Sequence, residues 1–154
     1  MYHVHPLRLS VNHIFIFTLR VWDSMVQNIT WLGDLKFKAE SNGLEIFSQE
    51  TSDKKSQIAM TPGAIFVASL GLCIASRIIG TCQKKGWKVK ALNIKLNPKV
   101  NLSEWRIDAF NLDIELQADL TEEQRRELLE EAHNCFVHRS LKHEPEISLN
   151  LRIV

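Results

Sequence analysis

The chain has 154 residues, 45% of them apolar and 24% charged, which is the composition of one ordinary globular domain and excludes disorder as its overall class. Its 19 basic and 18 acidic residues leave a formal charge of +1 and are mixed along the sequence, so no extended positive face is offered to a nucleic acid. Three cysteines at irregular spacing do not make a secreted disulfide framework and point to reduced thiols in a cytoplasmic compartment.

Residues 1–24, MYHVHPLRLSVNHIFIFTLRVWDS, hold one apolar patch, HIFIFTL. It falls far short of the roughly 20 residues that cross a bilayer. A signal peptide needs a longer apolar region and a small-residue cleavage site. These residues are expected to form an N-terminal extension outside the core, with the domain proper running over 25–154 and no membrane association.

From Val26 the runs in VQNITWLGDLKFKAESNGLEIFSQE are short and β-rich, broken by Gly33-Asp34 and Ser41-Asn42-Gly43. This predicts an antiparallel meander of about three strands. TSDKKSQIAM is polar and irregular and suits a loop. Thr61-Pro62 then offers an N-cap followed by a proline at the first helical position. The stretch GAIFVASLGLCIASRIIGTCQKKG is apolar nearly all round until Gln83, so a long central helix buried on most sides is expected. Gly86 stops it after two lysines placed at the negative end of the helix dipole.

WKVKALNIKLNPKV and EWRIDAFNLDIELQAD alternate with period two and predict two long antiparallel strands joined through NPKVNLS. Thr121 and Gln124 have capping-box spacing, and Leu128, Leu129, Ala132 and Cys135 continue one apolar stripe of a second helix. EPEISLNLRIV alternates again as a C-terminal strand. The expected class is α+β.

The candidate chemistry lies in the cysteines. Cys73 sits mid-helix, where a free thiol often serves as a small buried hydrophobe. Arg77, four residues on and on the same face, supplies the other reading, a guanidinium that stabilises a thiolate. Cys82 is about half a turn out of phase with Cys73 and reads as packing. Cys135 lies in HNCFVHRSLKH, with His133, His138 and Arg139 close by. Asn134 is placed to interrupt or re-cap the helix, setting this thiol at a positive helical end that lowers its pKa. Zinc bound by His133, Cys135, His138 and His143 is the alternative, but the spacing fits no familiar finger and no metal is expected.

TPGAIFVASLGLC, then CQKKGWKV, then TEEQRRELLEEAHNCFVHRSLKHEPEISLNL resemble the OsmC/Ohr family of thiol-dependent hydroperoxide reductases. The most specific parts are the cysteine after a Leu-Gly pair in the central helix and the later Cys-x-Val-His-x-x-Leu. The resemblance implies an OsmC-like α+β fold and an intertwined homodimer whose sheet wraps around the partner's long helix. An all-apolar helix of this length independently calls for more cover than one chain supplies.

The resemblance further implies that Cys73 attacks the peroxide and Cys135 resolves the sulfenic acid as a disulfide. That chemistry requires a lowered pKa at the first thiol and proximity at the second. No cofactor is implied. A dithiol of lipoyl or thioredoxin type would restore the thiols, and Phe66, Leu70 and Phe136 are expected to line an apolar pocket for an organic hydroperoxide. Where the family carries a glutamate before the first cysteine, this chain has Gly63 and Ala64, and no arginine lies between Met25 and Cys73. Lys36, Lys38, Arg77 and Arg139 are the candidate cations near the thiols. The rival reading is a non-catalytic or redox-sensing dimer of the same fold.

Overall fold

The computed structural model describes residues 25–153, and the N-terminal extension lies outside them. The chain divides into two compact units, one ending at Pro62 and the other beginning at Gly63.

In the first unit, β1 (Asn28–Trp31), β2 (Lys36–Ser41) and β3 (Leu44–Gln49) form an antiparallel sheet in the order β1-β2-β3. The β2–β3 turn is the two-residue Asn42-Gly43, with φ of 52° and 77°, the positive values that a tight hairpin of matching twist demands. The polar segment after β3 is a loop, as its composition predicts. It is tied down by the buried Gln49, whose Oε1 accepts from the Ile58 N–H (3.0 Å) while Nε2 donates to the Ser56 carbonyl (3.4 Å).

Pro62, the last residue of the first unit, opens α1 (Pro62–Lys85), which runs through the second until Gly86, at φ 73°, ends it. Leu70, Ile74, Ile78 and Cys82 recur every four residues and are the buried stripe. By length and composition α1 could cross a membrane, yet this stripe is the centre of the unit's core. Within one chain the described elements cover this stripe, in keeping with a helix that calls for more cover than one chain supplies. Leu72 remains 68% exposed among the described residues.

Gly71 explains the Leu-Gly pair. A Cβ at this position would stand 2.7 Å from Leu96 Cδ1, so the helix approaches the sheet closely only because the residue has no side chain.

The hairpin of β4 (Val89–Asn101) and β5 (Arg106–Ala118) packs Ile94, Leu96, Phe110, Leu112, Ile114 and Leu116 against that stripe. Its connection is shorter than expected. Pro98 pairs with Phe110 inside the ladder, and the turn comprises residues 102–105. In a two-stranded sheet both strands are edges, and a proline is tolerated there. Trp105 closes the turn at φ 53° with its side chain 87% exposed.

Helix α2 (Glu122–His133) starts from the predicted capping box. Thr121 Oγ1 accepts from the Gln124 N–H (3.3 Å), and Gln124 Oε1 accepts from the Thr121 N–H (2.8 Å). Asn134 ends α2, its N–H reaching the Glu130 and Glu131 carbonyls, and a short α3 (Phe136–Leu141) follows. The expected C-terminal strand is not paired. Residues 144–153 join neither sheet, and Ile147, Leu149, Leu151 and Ile153 are 79 to 93% exposed. Alternation makes a strand only where an edge receives it.

Candidate thiol site

α1 and α2 run antiparallel, so residues later in α1 meet residues earlier in α2. Lys85 pairs with Glu127 (2.7 Å), Arg77 with Glu131, and one turn further the two cysteines come together. Cys73 is half-buried, whereas Cys135 has no exposed surface.

The residue that re-caps the chain is Cys135 itself rather than Asn134. Cys135 is the N-cap of α3, and its Sγ accepts from the His138 N–H at 3.3 Å. The next donor, the Val137 N–H, points to Cys73 Sγ at 3.5 Å. Both sulfurs therefore sit at the same turn, and both receive backbone N–H groups.

The expectation of a lowered pKa at Cys135 is reversed. Burial pushes the Cys135 thiol up, and Cys73 beside it adds to the rise, against the His138 and Val137 N–H groups that favour the thiolate. Cys82 is buried in the core as predicted, and burial also raises its thiol.

Of the candidate cations, Arg77 and Arg139 lie on helices of the second unit and Lys36 and Lys38 on a strand of the first. The Arg77 guanidinium is held by Glu131. Lys36 and Lys38 lie on β2 in the first unit, where Lys38 Nζ bonds Glu45 (2.8 Å) and stands 3.6 Å from Glu40. Arg139 is exposed on α3, and its N–H donates to the Cys135 carbonyl (2.9 Å). His133 and His138 lie with ring centroids 5.2 Å apart. Among the described residues no three His, Cys, Asp or Glu side chains gather as a metal-binding group.

An open cavity of about 600 Å³ lies beside this turn within the second unit. Its walls are mainly apolar, with Leu70 and Ile74 from α1, Phe110 and Leu112 from β5 and Leu129 from α2, while His133, His138 and Lys142 add polar groups. Of the three predicted pocket residues only Leu70 lines it. Phe66 lies one turn earlier, edge-on to Phe110 with centroids 6.1 Å apart, and Phe136 is exposed on α3.

Glu131 and the two backbone donors escaped the sequence reading. Glu131 had a signal, since it precedes Cys135 by the same four residues that separate Arg77 from Cys73. The donors had none, because any residue supplies an N–H.

The family model for OsmC-like protein matches residues 52–150. Comparison with curated proteins finds no match. Among solved structures, an osmotic stress induced and detoxification response protein of Psychrobacter arcticus 273-4 superposes with a TM-score of 0.67 at 18% identity, covering 74% of this chain and 85% of that one. An OsmC-like protein of Mycoplasma pneumoniae superposes with a TM-score of 0.63 at 18% identity, covering 77% and 89%. A hypothetical protein of Aquifex aeolicus gives 0.61 at 17% identity, covering 76% and 86%. At these identities the structures speak for the fold alone.

Proposed function

This chain belongs to the OsmC-like protein family, and from that premise we propose that it reduces organic hydroperoxides through Cys73 and Cys135. The observation that carries the reading is the convergence of both sulfurs on one turn, each receiving a backbone N–H. Cys73, the more accessible, is the attacking thiol. Its thiolate takes the terminal oxygen of ROOH, the O–O bond breaks, and with one proton the products are Cys73 sulfenic acid and ROH. Cys135 then displaces that oxygen as water and forms the disulfide. A dithiol of lipoyl or thioredoxin type returns both cysteines to thiols, a role suited to a cytoplasmic compartment.

The apolar lining of the neighbouring cavity favours an organic chain over hydrogen peroxide. The uncovered apolar side of α1 and the unpaired C-terminal segment suit a homodimer. The reading is tested by consumption of an alkyl hydroperoxide with a dithiol. Turnover no greater than that of Cys73→Ser sinks it.

One observation favours the rival reading, a redox-sensing dimer without turnover: Arg77, the arginine nearest Cys73 in the helix, is engaged by Glu131. For that reading one equivalent of peroxide closes the disulfide and no further peroxide is consumed when dithiol is present.

A further inference from the structure

The first turn of α3 is held by sulfur. Its Val137 N–H ends on Cys73 Sγ and its His138 N–H on Cys135 Sγ. A helix of this length does not sustain itself in water, and α3 has no buried residue of its own. At the other end the Lys142 N–H closes on the Arg139 carbonyl (3.2 Å) and the His143 N–H on the Ser140 carbonyl (3.3 Å). Together with the packing of Val137 against the core, the two sulfur acceptors tie the first turn of α3 to the two longer helices.

Those acceptors exist as described only while the cysteines are reduced. To bond with Cys73, Cys135 Sγ must turn from the His138 N–H towards the other sulfur. We propose that α3 is a latch closed by the reduced thiol pair, and that formation of the Cys73–Cys135 disulfide releases it. The consequence lies at the same site. Cys135 is fully buried, so an external dithiol meets its sulfur only after something opens. α3 also contributes His138 and Leu141 to the cavity wall, so its release opens the cavity as well.

The latch rests on the hydroperoxide reading only for its natural oxidant. In that cycle two electrons leave the thiol pair and ROOH becomes ROH and water, one thiol proton going to the alkoxide and the other to the departing hydroxyl. Exchange with oxidised dithiothreitol makes the same bond without peroxide, the two thiols giving one disulfide and the reagent becoming the dithiol.

The experiment is amide hydrogen exchange by NMR on the full chain, reduced and then oxidised with oxidised dithiothreitol, the disulfide being confirmed by the loss of two hydrogens in mass. Exchange at Val137 and His138 is expected to quicken by about fivefold or more, the change that loss of a typical N-cap gives. Amides around Leu128 in α2 are expected to stay as slow as before. Cys135→Ser keeps a capping oxygen for His138 and forms no Cys73–Cys135 bond, so the reagent should leave its exchange unchanged.

Unchanged exchange at both amides of the oxidised protein, an equal increase along α2, or failure of the disulfide to form would each overturn the latch. A disulfide with faster exchange in a protein that turns over no alkyl hydroperoxide leaves the latch standing and removes the peroxidase reading alone.

Discussion

The Arg77 guanidinium is bound to the Glu131 carboxylate, and each of the two residues stands one helical turn from a cysteine, Arg77 from Cys73 and Glu131 from Cys135. Their side chains are 46% and 32% exposed, so water screens the attraction and the pair contributes about 0–1 kcal/mol. Arg77→Ala is therefore expected to lower stability by no more than about 1 kcal/mol. A double-mutant cycle with Glu131→Ala, read by urea unfolding, checks this. A coupling above about 2 kcal/mol contradicts the reading of a screened surface pair.

Gly71 separates packing from helix propensity. Alanine gains about 1 kcal/mol of propensity but presses on Leu96. Valine adds bulk without that gain, and Gly71→Val is expected to destabilise the protein by about 1–3 kcal/mol through overpacking. Thermal unfolding measures it, and a valine variant as stable as the parent contradicts the close approach of α1 to β4.

The pH dependence of the thiol region is expected to come through His138. Burial holds its imidazole below the ordinary value of about 6.5, and Lys142 and His133 push it the same way. Above that ordinary value the group is neutral in both folded and unfolded chains and contributes nothing to the pH dependence. Below it the unfolded chain takes up the proton first, so stability is lost as pH falls. His138→Asn should flatten this acid limb, and Lys142→Ala should move the His138 titration upward in NMR. An unchanged titration in the lysine variant would remove Lys142 as a cause.

Cys82 is expected to be the last thiol alkylated in the native protein, since it is buried and burial raises its thiol. Cys82→Ser places a hydroxyl in the core and should cost about 1–3 kcal/mol. Peptide mapping after timed alkylation gives the order. Labelling of Cys82 ahead of Cys73 would contradict its assignment to packing.

A homodimer is expected in solution, and deletion of residues 144–153 should weaken it, because this alternating segment has no partner strand among the described residues. Light scattering on the parent and the truncated chain decides. A folded parent monomer at micromolar concentration contradicts the expectation.

Elements specified by local chemistry were legible from the residues. The Thr121 capping box, the Asn42-Gly43 turn, the Pro62 start and the Gly86 stop depend on neighbours in sequence, and each is found where expected. The family and its fold were legible through the Leu-Gly pair before Cys73 and the Cys-x-Val-His-x-x-Leu run from Cys135.

What was misread depends on other elements. Alternation in residues 144–153 cannot say which edge receives it, and NPKVNLS read as the connection although Pro98 pairs with Phe110 inside the ladder. Helical spacing places Arg77 on the face of Cys73 but cannot reveal Glu131 on the facing helix. The rise of the Cys135 thiol comes from burial by packing, which HNCFVHRSLKH does not encode in its own charges.

The adjacency of Cys73 and Cys135 also bears on the unfolded chain. Roughly 60 residues separate them, and a bond between them would restrict the denatured ensemble by about 4 kcal/mol in the chain-entropy account. The loop so closed contains the hairpin and α2, the elements that cover the α1 stripe. Oxidation would thus act in opposite directions at two scales, making global unfolding rarer while one short helix becomes looser. A cell that shifts this protein between its two redox states would also be shifting how long each copy survives proteolysis.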